Sequence, residues 1–140
     1  MSEVTDARPA SAPSPQPATS TIVVGYSPKP EGRAALQRAI TEATLRGSSL
    51  IVVHTSTSTE LDDLARVLAD AGVPYEIQAT SDSLDPAEEL IAAASTSDAE
   101  FIVIGLRKRS PVGKLLLGSN AQRVLLDASC PVLAVKAEEH

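Results

Sequence analysis

The chain has 140 residues, 43% of them hydrophobic, and a net charge of −6, enough apolar material for one domain with a core of its own. The acidic balance repels nucleic acid, and two Tyr, one Phe and no Trp leave too few aromatic platforms for base stacking. One cysteine excludes an intrachain disulfide and a cysteine metal cluster and fits a reducing compartment; with no apolar run of transmembrane length and no secretory signal, the expected location is the cytoplasm, away from membranes.

Residues 1–20 carry Pro9, Pro13, Pro15 and Pro17 among Ala, Ser, Thr and Gln. Such a segment has too little apolar surface to offset its ordering entropy, so it is expected to be a disordered tail, with one domain over residues 21–137. Ile22-Val23-Val24 opens the domain as a strand. Pro30 then starts a helix with Leu36, Ala39, Ile40 and Ala43 on one face, ended by Gly47. Leu50 to Val53 is a second strand. Thr57 and Glu60 have capping-box spacing before Leu61, Leu64, Ala65 and Leu68, and Gly72 closes that helix. Val73, Tyr75, Ile77 and Ala79 alternate with polar residues, as in a half-exposed edge strand. Asp85-Pro86-Ala87-Glu88 opens a third helix with Ala87, Leu90, Ile91 and Ala94 inward, and Phe101 to Ile104 is a fourth strand. Ser119 and Gln122 again have capping-box spacing, ahead of Ala121, Val124, Leu125 and Ala128, and Val132 to Val135 is the fifth strand. Strands and helices in strict alternation predict an α/β fold, a five-stranded parallel sheet with helices on both faces.

Such sheets take ligands beyond the carboxyl ends of their strands, where strand order reverses. With the first strand central, that crevice lies between the loops Gly25 to Pro30 and Gly105 to Gly118. The second loop holds the strongest chemical signal in the chain. Between Gly105 and Ser119 stand Arg107, Lys108, Arg109 and Lys114, with further glycines at Gly113 and Gly118 and no acidic residue. Glycines let backbone N–H groups approach a ligand, and a helix start adds unpaired donors and positive dipole, so the segment is expected to hold an anion, phosphate above all. The competing reading is that Gly105 and Gly118 serve only tight turns, with Ser119 as a plain N-cap. A P-loop is excluded: seven residues separate Gly105 from Gly113 where four are needed, and Leu115 stands where Ser or Thr should bind magnesium.

Elsewhere the chemistry is sparse. His54, at the end of the second strand, reads as a structural histidine. Cys130, before Pro131 and a buried strand, reads as a packed, inert thiol. Asp62 and Asp63 read as a solvated helix face. No Ser-His-Asp or metal-ligand spacing stands out, so no catalytic residue and no metal site is assigned.

These residues carry a family resemblance. From Thr21 to Lys136 the sequence resembles a universal stress protein domain. The shared features are the opening Ile-Val-Val-Gly, the Val53-His54 strand end, the loop from Gly105 to Gly118-Ser119, and Ser129-Cys130-Pro131-Val132 before the last strand. The family's loop pattern is Gly, two residues, Gly, nine residues, Gly, then Ser or Thr. Gly105, Gly118 and Ser119 fit it, while the middle glycine falls on Lys108, and the acidic residue that contacts ribose in nucleotide binders falls on Ser27. The resemblance implies a Rossmann-like fold of the adenine nucleotide alpha hydrolase type, strand order 3-2-1-4-5, usually a homodimer. It also implies a role in stress response or signalling. Members divide into those that bind ATP or another adenine nucleotide, with or without magnesium, and those that do not. For a binder, the phosphates are expected against Gly113 to Ser119, with Lys108 and Lys114 adding charge and Asn120 alongside. The adenosine is expected near Gly25, Tyr26, Ser27 and Thr55. The alternative is a dimeric interaction protein of the same fold that binds no nucleotide. A slow ATP hydrolase is the weakest reading, because the loops offer no general base. The run Val132 to Val135 is apolar without alternation, which implies that both faces are covered. A last strand of that kind, lying at a sheet edge, is expected to pair with a second copy of itself.

Overall fold

The computed structural model describes residues 20–54, 58–79, 85–106 and 118–137. Five strands, β1 (Thr21–Tyr26), β2 (Ser49–His54), β3 (Tyr75–Ala79), β4 (Phe101–Leu106) and β5 (Val132–Lys136), alternate with four helices. The helices are α1 (Pro30–Arg46), α2 (Ser58–Ala71), α3 (Pro86–Ser97) and α4 (Ser119–Asp127). Every strand pairing is parallel and the sheet order is β3-β2-β1-β4-β5. Parallel neighbours need a crossover, and a helix per crossover is what the alternating sequence pattern supplies. The chain runs outward from β1 through β2 to β3, then returns to the other side of β1 for β4 and β5. Strand order therefore reverses between β1 and β4.

Period-two alternation sorts the central strands between two cores. Ile22 and Val24 of β1, with Val52 and Val103, face α1 and α2, where Ala39, Leu64 and Leu68 meet them. Val23, Ile51 and Ile102 point the other way, against Ala87, Leu90 and Val124 of α3 and α4. Small residues let α1 lie close to the sheet: Gly32, Ala35, Ala39 and Ala43 are all buried on it. The helix starts at Pro30, where the missing N–H would be unpaired in any case, and stops at Gly47, which adopts φ 69° and donates its N–H to the Ala43 carbonyl. At α3, the Asp85 carboxylate accepts from the Glu88 N–H at 2.9 Å while the Glu88 side chain accepts from the Asp85 N–H, a reciprocal cap. The spacing Thr57–Glu60 proposed for α2 includes Thr57, which lies outside the described residues.

Two packing expectations are corrected. In β5, Val132, Leu133 and Val135 are only half-buried and Ala134 is exposed. The strand lies at the sheet edge, so its own chain does not cover both faces. Leu125 does not point inward but is 40% exposed, and Leu126 beside it is 81% exposed. Val124 alone is buried on α4, which is a nine-residue helix and turns only one narrow stripe to the sheet. The opposite edge, β3, is short and mostly exposed, but its burial does not follow the expected alternation: Tyr75 and Ala79 are exposed while Ile77 and Gln78 are half-buried. Among the described residues no helix is long and apolar enough to cross a membrane.

Candidate functional site

A cavity of about 230 Å³ opens where strand order reverses. Gly25, Tyr26 and Ser27 bring the end of β1 to it, Ile104 and Gly105 the end of β4, and Val53 the end of β2. The helices close it from both sides of the sheet: Glu31 and Gly32 from α1, Pro86 and Leu90 from α3, and Asn120, Ala121 and Val124 from α4. The floor is thus aliphatic, and the polar groups come from the strand ends and first helical turns. Its volume lies just below the ~300–1,000 Å³ common for small-molecule pockets.

Glycines shape this wall for different reasons. A Cβ at Gly105 would run into the main-chain carbonyl of Glu31, so glycine there is required by the approach of α1 to β4. A Cβ at Gly32 would meet the backbone and hydroxyl of Ser27, so the turn after β1 also lies directly on the first turn of α1. At Gly25 the nearest atom would be Leu90 Cδ1 at 3.1 Å, a tighter fit than most Cβ contacts. Gly118 is unlike all three. Its φ of −66° and ψ of 164° are open to any residue, and an added Cβ would meet nothing within 4 Å. Neither backbone strain nor packing calls for glycine at that position.

Ser119 is not the N-cap of α4. The extended cap residue is Gly118, whose carbonyl accepts from the Gln122 N–H at 3.0 Å, and α4 begins at Ser119 with no side-chain cap hydrogen bond. The spacing Ser119–Gln122 therefore lies one residue too far along to act as a capping box. Arg123 ties α4 to α3: its guanidinium reaches Glu88 at 3.0 Å, Asp85 at 3.5 Å and Asp127 at 3.1 Å. The hydrogen bonds to Asp127 and Glu88 also hold its pKa above the ordinary arginine value.

Of the residues picked out in the sequence, Gly25, Tyr26, Ser27, Gly105 and Asn120 all line the cavity. Gly118 and Ser119 stand at the start of α4, next to Asn120, but are not among its lining residues. Thr55, Lys108, Gly113 and Lys114 lie outside the described residues. Sequence reasoning missed Glu31, Gly32, Pro86 and Leu90. The signal for the first two was present, since Pro30 at a helix start directly after the β1 loop sets the first turn of α1 at the crevice. Among the described lining residues Glu31 is the single carboxylate, and none is Lys, Arg or His.

His54 is 3% exposed and neighbours Tyr26 in the β1–β2 register. Strand alternation puts it on the opposite face from Val53, on the side of α1 and α2. Burial lowers its pKa below the usual histidine value. Cys130 is half-buried against the α3–α4 core, and burial raises its thiol pKa. Among the described residues no three His, Cys, Asp or Glu side chains are grouped to hold a metal ion.

Residues 58–136, more than half of the chain, match the model of the Universal stress protein family. A universal stress protein of Mycolicibacterium smegmatis is 48% identical over 126 residues, which cover 82% of this chain and 96% of the relative. Among solved structures, a universal stress protein from Archaeoglobus fulgidus superposes with a TM-score of 0.64 at 33% identity, over 84% of this chain and 98% of that one. A structure described as the universal stress protein from Archaeoglobus fulgidus in complex with dAMP gives a TM-score of 0.59 at 27% identity, over 85% of this chain and 99% of that one.

Proposed function

The chain belongs to the universal stress protein family, and on that premise we propose that it binds an adenine nucleotide, ATP or AMP, in the cavity between β1 and β4. The observation that carries this reading is the cavity itself, set at the reversal of strand order and floored by aliphatic side chains, with a helix start that no side chain caps beside it. The dAMP complex of the Archaeoglobus fulgidus relative supports the choice of adenine among bases. In this reading the adenosine lies along Gly25, Tyr26 and Ser27, with Thr55 nearby. The phosphates extend toward Gly118 and Ser119 at the α4 start, where Lys108, Gly113 and Lys114 of the basic segment complete the anion site. The activity is binding, coupled to stress signalling in the cytoplasm, rather than turnover. Calorimetry with AMP and with ATP, with and without magnesium, tests it, together with ultraviolet absorbance of an acid extract of the purified protein. Retained adenine or a saturable binding heat is the expected result. Absence of both at millimolar nucleotide overturns the proposal.

A second reading rests on a different surface. The β5 edge is apolar and half-buried. We propose that β5 joins two copies of the chain into a homodimer whether or not nucleotide binds. Light scattering at micromolar concentration should give a dimer mass for the parent protein and a monomer mass for Leu133→Asp.

A further inference from the structure

A second cavity, of about 350 Å³, lies between α1 and α2 and is larger than the one at the reversal of strand order. Helical spacing builds its two walls. Arg33, Leu36 and Gln37 stand at positions i, i+3 and i+4 of α1 and so share a face, while Asp63 and Val67 stand four residues apart on α2 with Leu64 beside them. Leu36 and Leu64 are buried in the core beneath, which makes the floor aliphatic. Arg33, Gln37 and Asp63 are exposed and form the rim. Tyr26, packed on the same core at the end of β1, borders both cavities.

The charges of this rim are not balanced. Among the described residues Arg38, Arg46, Arg66 and Arg123 each hold a carboxylate, whereas Arg33 forms no ion pair. The acid across the groove, Asp63, is already held by Arg66 at 3.2 Å. The charge left to meet a ligand is therefore the Arg33 guanidinium, a planar fork of N–H donors that matches a carboxylate with two parallel hydrogen bonds. Gln37, one turn further along α1, adds a neutral amide donor. A dianion suits the site less well, since it would meet one guanidinium and the negative charge of Asp63 opposite. The aliphatic floor calls for an apolar body behind the head group.

We propose that the α1–α2 cavity is a second ligand site, for a short aliphatic carboxylate whose head group is held by Arg33 and Gln37 and whose tail lies over Leu36, Leu64 and Val67. This site is independent of the adenine-nucleotide reading: no residue that it uses to hold the ligand lines the cavity between β1 and β4.

The test is a nuclear magnetic resonance titration of the isotopically labelled full chain with four probes: hexanoate, hexanol, hexylammonium and inorganic phosphate. Hexanoate in the millimolar range should give saturable shifts of the Leu36, Leu64 and Val67 methyl groups and of the Tyr26 ring, with hexanol, hexylammonium and phosphate each binding about tenfold more weakly or not at all. Arg33 and Val67 both reach solvent, so substitutions there leave the core intact. Arg33→Gln should weaken hexanoate about tenfold, to the level of hexanol, and leave hexanol unchanged. Val67→Asp, which places a charge beside the tail, should weaken both. No saturable shift with hexanoate overturns the proposal, as does an unchanged hexanoate affinity in Arg33→Gln. Equal binding of hexanol or tighter binding of hexylammonium by the parent protein removes the guanidinium from the site, and phosphate binding as tightly as hexanoate removes the aliphatic floor; either result overturns it too. Shifts centred on Leu90, Ile104 and Val124 would put the probe in the cavity between β1 and β4 and overturn the assignment while leaving the nucleotide reading untouched.

Discussion

Helices α3 and α4 pack against each other on one face of the sheet and open at the same cavity, yet their first turns are finished differently. At α3 the donors are met from within the chain: Asp85 and Glu88 close a reciprocal cap, and Pro86 at the first helical position removes one donor altogether. At α4 the cap residue is a glycine, no side chain closes the turn, and no acidic residue stands in it. The first helix end is closed by its own side chains. The second presents backbone N–H groups and positive dipole beside the cavity, the arrangement that receives an anion. Among the described residues, neither backbone geometry nor packing requires glycine at position 118.

Three substitutions test this contrast, the largest effect first. Gly118→Asp would give α4 the kind of cap that α3 has. The aspartate should stabilise the helix by a few tenths of a kcal/mol up to about 1 kcal/mol, while nucleotide affinity, read by calorimetry, falls at least tenfold, about 1.4 kcal/mol. Unchanged affinity would mean that the α4 start receives no phosphate. Asp85→Ala removes the cap that α3 does have and should cost about 1 kcal/mol in chemical denaturation. A loss in nucleotide affinity larger than that loss in stability would show that α3 holds the ligand directly. Ser119→Ala is the smallest. Because Gly118, not Ser119, caps α4, the change in stability should stay within about 0.5 kcal/mol. A cost near 1 kcal/mol would restore Ser119 as a cap and erase the difference between the two helix starts.

The buried histidine gives a separate prediction. The folded-state pKa of His54 lies below its unfolded value because burial disfavours the charged ring. Between the two values the unfolded chain binds more protons than the folded one, so stability falls as pH drops below the ordinary histidine pKa of about 6.5, by at most about 1.4 kcal/mol per pH unit. Above that value the group contributes no pH dependence. Denaturation of His54→Gln across pH 5 to 7, compared with the parent, should show a shallower acid slope; equal slopes would assign the acid sensitivity to other groups.

Much of the architecture could be read from local pattern. Short Val- and Ile-rich runs alternating with helical periods led to the parallel sheet. The Asp85–Glu88 spacing and Gly47 marked helix ends that the structure contains. Gly25, Tyr26, Ser27 and Gly105 fall on the cavity wall because topology brings the ends of β1 and β4 together, while Asn120 was named through the family resemblance. What escaped depended on contacts distant in sequence. The need for glycine at position 105 comes from Glu31, 74 residues earlier, and no local rule connects the two. The Ser119 cap failed because a spacing rule is satisfied at neighbouring registers and only backbone geometry selects one. The burial of β5 failed because an apolar run has the same periodicity whether its own chain covers it or leaves it open.

The central place of β1 has a consequence for how the molecule is made. Among the described strands β1 is the first to be synthesised, and one of its edges can be matched once Ser49–His54 has followed. The other edge waits for Phe101, Ile102 and Val103, the partners of Ile22, Val23 and Val24. For roughly half of the chain's synthesis a largely apolar strand presents an open row of backbone donors and acceptors, a template for stray pairing between nascent chains. The topology therefore leaves one edge of β1 unpaired until Phe101, Ile102 and Val103 are made, and slowing translation between β3 and β4 would lengthen that interval.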